Sequence, residues 1–141
     1  IIFSMRPIYE LRWGGKGKMY EKRLGEHYKN SNPFREILDG GVLVCGGTDS
    51  DVCKANILSG IHAAVNHPVA SHRVTVQEAM QMFTRNGAYA IGKECEKGFL
   101  KEGHLADIVV LNADILKTPP GKIKDLKVSC TVKSGELIYH A

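Results

Sequence analysis

Gly41-Val42-Leu43-Val44-Cys45-Gly46-Gly47-Thr48-Asp49-Ser50-Asp51, residues 41–51, is the stretch on which the reading of this sequence turns. Val42 to Cys45 is a continuous apolar run of strand length, the kind that a parallel sheet buries on both faces. Asp49 follows in a glycine-flanked turn that leads toward a helix. In α/β proteins ligands bind just past the C-terminal ends of such strands. A carboxylate there can bind a metal, or take a proton from an activated water and pass it to a leaving group. Asp49, Ser50 or Asp51 can equally cap the next helix, Asp51 being the nearest to it. Both readings stay open on spacing alone.

Upstream, Ile1 to Met5 reads as a short buried strand stopped by Arg6-Pro7, because proline offers no ladder donor and restricts its neighbour. A loop is expected next. Trp13-Gly14-Gly15-Lys16-Gly17-Lys18 has the glycine density of an irregular connection, and no G-x-x-x-x-G-K-[ST] phosphate loop can be written through it. Arg6, Arg12 and Trp13 follow a strand end, which makes them candidates to line a pocket for a carboxylate or an aromatic group. Met19 to Tyr28 can form a helix with a charged outer face. Asn32-Pro33 restarts helix, with asparagine as N-cap and proline at the first helical position, and Gly40-Gly41 ends it. The order is strand, helix, strand.

Downstream, Leu58, Ile61 and Val65 recur at helical spacing, with Ile57 and Ala64 widening the apolar stripe. His67-Pro68 closes that helix. Thr75-Val76-Gln77-Glu78 is a capping box, and it opens a helix whose Val76, Met80, Phe83 and Ala90 share a face and whose natural stop is Gly92. The grammar then changes. Ala106 to Leu111 reads as a strand, Val128, Cys130 and Val132 alternate with polar residues, and Ser134-Gly135 turns the chain into a last strand, Glu136 to Tyr139.

The composition bounds the rest. In 141 residues, 43% hydrophobic and 24% charged, there is a core to bury and no disordered or membrane-spanning signature. Lys+Arg 19 against Asp+Glu 15 leaves a net charge of +4, spread along the chain with no aromatic-plus-basic platform, so a nucleic-acid partner is not expected. Cys45, Cys53, Cys95 and Cys130 form no C-x-x-C pair and read as small core hydrophobes in a reduced compartment. With no signal peptide or membrane segment, the expectation is a cytoplasmic chain with no membrane partner. Six histidines, at 27, 62, 67, 72, 104 and 140, form neither H-x-H nor H-E-x-x-H, so the chain lacks a self-sufficient metal site. Two parallel strands close no eight-stranded barrel, and the first part therefore wants partners that this chain does not contain.

Three runs carry a resemblance: Gly47-Thr48-Asp49-Ser50-Asp51-Val52, Gly60-Ile61-His62-Ala63-Ala64-Val65, and Thr75-Val76-Gln77-Glu78-Ala79. Together they resemble the end of the amidohydrolase barrel, in the family 3 branch that includes N-substituted formamide deformylases. Lys97 to Leu111, with Gly98, Leu100, Gly103, Ala106 and Asp107, is similar to the segment that re-enters a small β-sandwich after that barrel. Val132 to Tyr139 resembles its final hairpin. Arg6-Pro7 stands where the branch often has Gln-Pro, and Asp51 where it often has proline.

The resemblance implies an α/β fold, the C-terminal fragment of a (β/α)8 TIM barrel holding its last two β/α units, followed by part of a small β-sandwich. Residues 1–95 would be strands seven and eight with their helices, and 96–141 the sandwich segment. It implies a metal-dependent hydrolase of non-peptide C–N bonds acting on a small amide-like molecule, with Asp49 as metal ligand and proton shuttle. The cofactor would be a divalent metal, zinc by expectation, in the intact enzyme. The chain alone is expected to bind none and to be inactive, its other ligands lying on a missing N-terminal barrel portion. The alternative is a non-catalytic module that covers its apolar faces by self-association.

Overall fold

The computed structural model describes all 141 residues, Ile1 to Ala141. Strand β1 (Ile2–Met5) pairs in parallel with β2 (Leu43–Gly46), Ile2 opposite Leu43 and Met5 opposite Gly46. Between them run α1 (Ile8–Arg12), α2 (Met19–Leu24), a 3-10 segment over Gly25–Asn30, and α3 (Phe34–Asp39). Three helices follow β2: α4 (Ile57–Val65), α5 (Val76–Phe83) and α6 (Arg85–Ala90). An antiparallel sheet of β3 (Ile108–Leu111), β4 (Val128–Lys133) and β5 (Glu136–His140), in that order, completes the chain. The parallel pair, the helix after it and the final hairpin match the sequence reading.

Elsewhere the structure corrects that reading. Arg6-Pro7 does stop β1, but Pro7 at once becomes the N-cap of α1 where a loop is expected. Proline suits a helix start because its fixed φ is already helical and its missing N–H is an orphan there anyway. The helix expected over Met19 to Tyr28 breaks at Gly25, whose φ is +56°. Asn32 does not cap α3. Pro33 holds the N-cap position, while the Asn32 amide turns away and donates to Glu10 Oε1 at 2.6 Å. β1 is largely exposed rather than buried, with Ile2 and Phe3 open to solvent, whereas Val44 and Cys45 of β2 are buried as expected. Of the cysteines only Cys45 and Cys53 are core; Cys95 is exposed.

The Thr75 capping box is present in both halves. Thr75 accepts from the Glu78 N–H, and the Glu78 carboxylate takes the Thr75 N–H at 2.8 Å. The helix it opens is interrupted at Thr84, whose φ of −123° and ψ of −93° separate α5 from α6. Ala90 therefore lies on another helix and is exposed, while Ala79 and Met82 take the buried face. Of the α4 stripe, Ile61, Ala64 and Val65 are buried and Ile57 is half exposed.

One apolar core joins Phe34, Val44, Ile61, Ala64, Val65, Val74, Ala79 and Met82 to Ile115 and Ile123. The last two come from the connection between β3 and β4, so the core runs across residue 95. Phe83 locks α4 and α5 to β2 by a close approach: a Cβ at Gly46 or at Gly60 would lie 2.5 Å from its ring. Asn86 of α6 donates to the Val44 carbonyl at 2.8 Å. At the far end, Asp107 accepts the Ser134 N–H at 2.9 Å and the Lys97 ammonium at 3.1 Å, which ties the β4–β5 turn to the segment before β3. Ser134 and Gly135 both take positive φ, the backbone of a tight two-residue hairpin turn.

Candidate active site

β1 and β2 run the same way, so their C-terminal ends, Met5 and Gly46, open on the same side of the molecule. Asp49 stands three residues beyond β2 with φ +52°, an uncommon left-handed conformation that short polar side chains tolerate best. Its side chain is exposed and does not cap α4. That cap is Asn56, whose Oδ1 accepts the Ser59 N–H at 3.0 Å. The capping alternative for Asp49, Ser50 and Asp51 is thereby overturned: the helix begins too far downstream for any of them to reach its first turn.

What Asp49 meets is Tyr9, whose phenol donates a hydrogen bond to Oδ2. That bond, with some desolvation and the carboxylate's charge, pushes the Tyr9 phenol up to about 12. Tyr9 sits on α1 directly after β1, so the bond joins the two post-strand segments. Arg12, one helical turn on, reaches the same loop, its Nη1 donating to the Val52 carbonyl at 2.7 Å and lying 3.4 Å from Cys53 Sγ. Arg6 lies over Gly47, where a Cβ would come within 3.1 Å of Nη1, and bonds Ser4 Oγ at 2.9 Å. Trp13 packs on Tyr9 with ring centroids 4.5 Å apart, and the Arg12 guanidinium lies 6.0 Å from the indole.

The four residues singled out in the sequence are thus gathered at one end of the parallel pair. Arg12 is occupied by the backbone of the loop, whereas Trp13, with Tyr9, forms an aromatic wall beside the carboxylate. Tyr9 is the residue that sequence reasoning missed. Its signal was the i, i+3 spacing to Arg12, visible only once α1 is known to be a helix.

No group of three His, Cys, Asp or Glu side chains is placed to hold a metal ion. His62 and His67 are buried and committed to backbone carbonyls and amides: Nδ1 of His62 lies 3.2 Å from the Pro120 carbonyl, and Nδ1 of His67 lies 3.0 Å from the Val69 N–H. Burial pushes both imidazoles down, His67 to about 4. Asp49 is then a single exposed carboxylate, one donor of the set a metal requires, and the residues of this chain do not by themselves fit the ion.

The sequence pattern described as the Amidohydrolase family matches residues 2–139. The N-substituted formamide deformylase of Arthrobacter pascens is 30% identical over 140 residues, covering 94% of this chain and 26% of that protein. The structure of 5-methylcytosine deaminase from Klebsiella pneumoniae, liganded with phosphonocytosine, superposes on 100% of this chain and 34% of its own with a TM-score of 0.69 at 21% identity. A variant of atrazine chlorohydrolase TrzN from Arthrobacter aurescens, complexed with zinc and atraton, covers 77% of this chain and 27% of its own with a TM-score of 0.60 at 24% identity. The chain spans about a quarter of the length of the curated relatives it matches. No helix is long and apolar enough to cross a membrane. With the family pattern running almost from end to end, the chain belongs to the amidohydrolase family.

Proposed function

We propose that this chain is the C-terminal portion of a metal-dependent hydrolase that cleaves a non-peptide C–N bond in a small amide-like molecule. β1 and β2 are then strands seven and eight of the parent barrel within residues 1–95, and residues 96–141 form its sandwich segment. The observation that carries the reading is the Asp49 carboxylate, set past the C-terminal end of β2 and held from the neighbouring strand's helix by Tyr9. In parallel α/β architecture that end is where reacting groups gather. The relatives named as a formamide deformylase and as 5'-deoxyadenosine deaminase support C–N bond chemistry.

A divalent ion, zinc by analogy with the TrzN complex, supplies Lewis-acid activation of water in such enzymes. Asp49 would be one of the residues that hold the ion, and its carboxylate would take a proton from water and pass it to the departing nitrogen. Its partner Tyr9 holds Oδ2 in place, and Trp13 offers an apolar wall to the substrate. The remaining ligands belong to strands that this chain does not carry, and the isolated chain is inactive.

The test is hydrolysis of an N-substituted formamide by the full parent protein and by its Asp49→Asn form. A loss of 10²-fold or more in kcat is expected, the range of general acid–base catalysis. Unchanged turnover in Asp49→Asn overturns the assignment.

A second reading rests on a different observation. An apolar groove of about 1140 Å³, lined by Ile57, Leu58, Met80, Ile91, Phe99 and Val109 among others, opens between α4–α6 and the β3–β5 sheet. A chain that fills it with a second copy is a self-associating module, and light scattering on the purified chain reads that state directly.

A further inference from the structure

Helix α1 has five residues, far fewer than an isolated helix needs to persist in water. Yet it carries both side chains that grip the loop after β2, Tyr9 on Asp49 and Arg12 on Val52. Something outside the helix has to fix it. Ile8 supplies one buried apolar anchor, and the other inward-facing residue is Glu10.

Glu10 is 1% exposed, an unusual place for a carboxylate unless it is well partnered. Its Oε1 accepts from Asn32 Nδ2 at 2.6 Å and from Ser31 Oγ at 3.0 Å. Its Oε2 faces His67 Nε2 at 3.5 Å, and His67 is fully buried. Nδ1 lies 3.0 Å from the Val69 N–H and 3.2 Å from the Val69 carbonyl, and Nε2, on the other side of the ring, faces Glu10. That nitrogen makes no hydrogen bond of normal geometry and faces Oε2 at ion-pair distance only. The seat is also shaped for the carboxylate, since a Cβ at Gly14 would collide with Glu10 Oε2. Asn32 takes φ +46° in presenting its amide, a backbone conformation that asparagine tolerates. Three separated segments therefore converge on one carboxylate: α1, the Ser31-Asn32 corner before α3, and the His67 turn after α4.

We infer that Glu10 is a positioning residue, a buried carboxylate latched by Asn32, Ser31 and His67 that fixes α1 so that Tyr9 and Arg12 meet the Asp49 loop. Its link to catalysis rests on the reading of Asp49 given above, but the latch itself is a statement about α1. The mutual dependence is physical. Removing the carboxylate takes its acceptor from the half-buried Asn32 amide, while the Ser31 hydroxyl keeps the Tyr28 carbonyl at 2.7 Å, and removing the imidazole takes away the group that faces Oε2.

Native-state hydrogen exchange on this chain tests it, comparing the amides of residues 9–14 with those of α5. Glu10→Met keeps the length of the side chain and removes both acceptors. His67→Phe keeps a ring against Phe34, now 5.6 Å from the imidazole centroid, and removes Nε2. In each, the α1 amides are expected to exchange at least tenfold faster while α5 stays within twofold of the native chain. Glu10→Gln, whose amide oxygen still accepts from Asn32 and Ser31, is expected to restore protection to within threefold. Equal acceleration of α1 and α5, or none at α1, overturns the latch, and His67→Phe decides alone if Glu10→Met does not fold. Hydrolysis by the parent protein bearing Asp49→Asn reads the catalytic assignment separately, so the two ideas fail independently.

Discussion

Tyr9 and Asp49, forty residues apart, are joined by a hydrogen bond from the phenol to the carboxylate Oδ2, and this bond ties the segment after β1 to the segment after β2. A phenol that donates to a carboxylate gives up its proton reluctantly, because the phenolate would face a like charge. Tyr9 therefore ionises at about 12 instead of the ordinary 10.0. In Asp49→Asn the carboxylate is gone and the phenol returns toward 10. Ultraviolet absorbance of tyrosinate near pH 11 is expected to rise by close to one tyrosine in that variant, and an unchanged titration would show that the two side chains do not meet in solution.

The cap of α4 discriminates between neighbouring polar residues. Asn56→Ala is expected to destabilise the chain by about 1 kcal/mol, the usual worth of an N-cap side chain. Asp51→Ala is expected to leave the denaturation midpoint almost unmoved, because its carboxylate reaches no helix N–H. Equilibrium urea unfolding of the two variants measures both, and a larger loss from Asp51→Ala would move the helix start upstream.

Glu78 couples stability to pH. Burial pushes its carboxyl up, but the Arg35 guanidinium at 2.5 Å and the Thr75 N–H and hydroxyl outweigh that, and the group sits below its ordinary value of 4.5. A carboxyl with a depressed folded-state pKa contributes stability that is complete above the unfolded value and disappears as pH falls through the folded one. The native chain is expected to lose stability below about pH 5, and Glu78→Gln to show a shallower loss over the same window. Thermal melts between pH 3 and 7 compare the slopes, and identical slopes count against the assignment.

Gly46→Ala and Gly60→Ala each drive a methyl into the Phe83 ring at 2.5 Å. Overpacking of this kind costs about 1–3 kcal/mol. Guanidinium unfolding is expected to show a lower midpoint with an unchanged slope for either variant, whereas Gly121→Ala, with open space around it, is expected to do little.

Local signals and tertiary ones divide the legibility of this chain. The apolar run before Gly46, the Thr75–Glu78 box and the Ser134-Gly135 turn act over a few residues, and each was readable because the cause lies inside the motif. Pro7 reads as a stop alone because the same residue that ends a strand also begins a helix well, and the five residues of α1 are too short to show a period. Adjacency assigns Asn32 to α3, yet its amide is claimed by a carboxylate twenty-two residues earlier. Glu10, by type, belongs on a surface, and only partners from two other segments make its burial affordable. Asp49 was found by its place after a strand, while Tyr9 was not, because their meeting is a property of the β1–β2 pairing and of neither segment alone.

Phe83 stands between Gly46 on a strand and Gly60 on a helix, one ring filling the space that two missing side chains leave. These three positions cannot drift one at a time. A methyl gained at either glycine is tolerable only after the ring has shrunk, and a smaller residue at 83 opens a void until a glycine gains bulk. Across descendants of this gene the trio is expected to change as a correlated set, with glycine retained at 46 and 60 wherever an aromatic ring occupies 83.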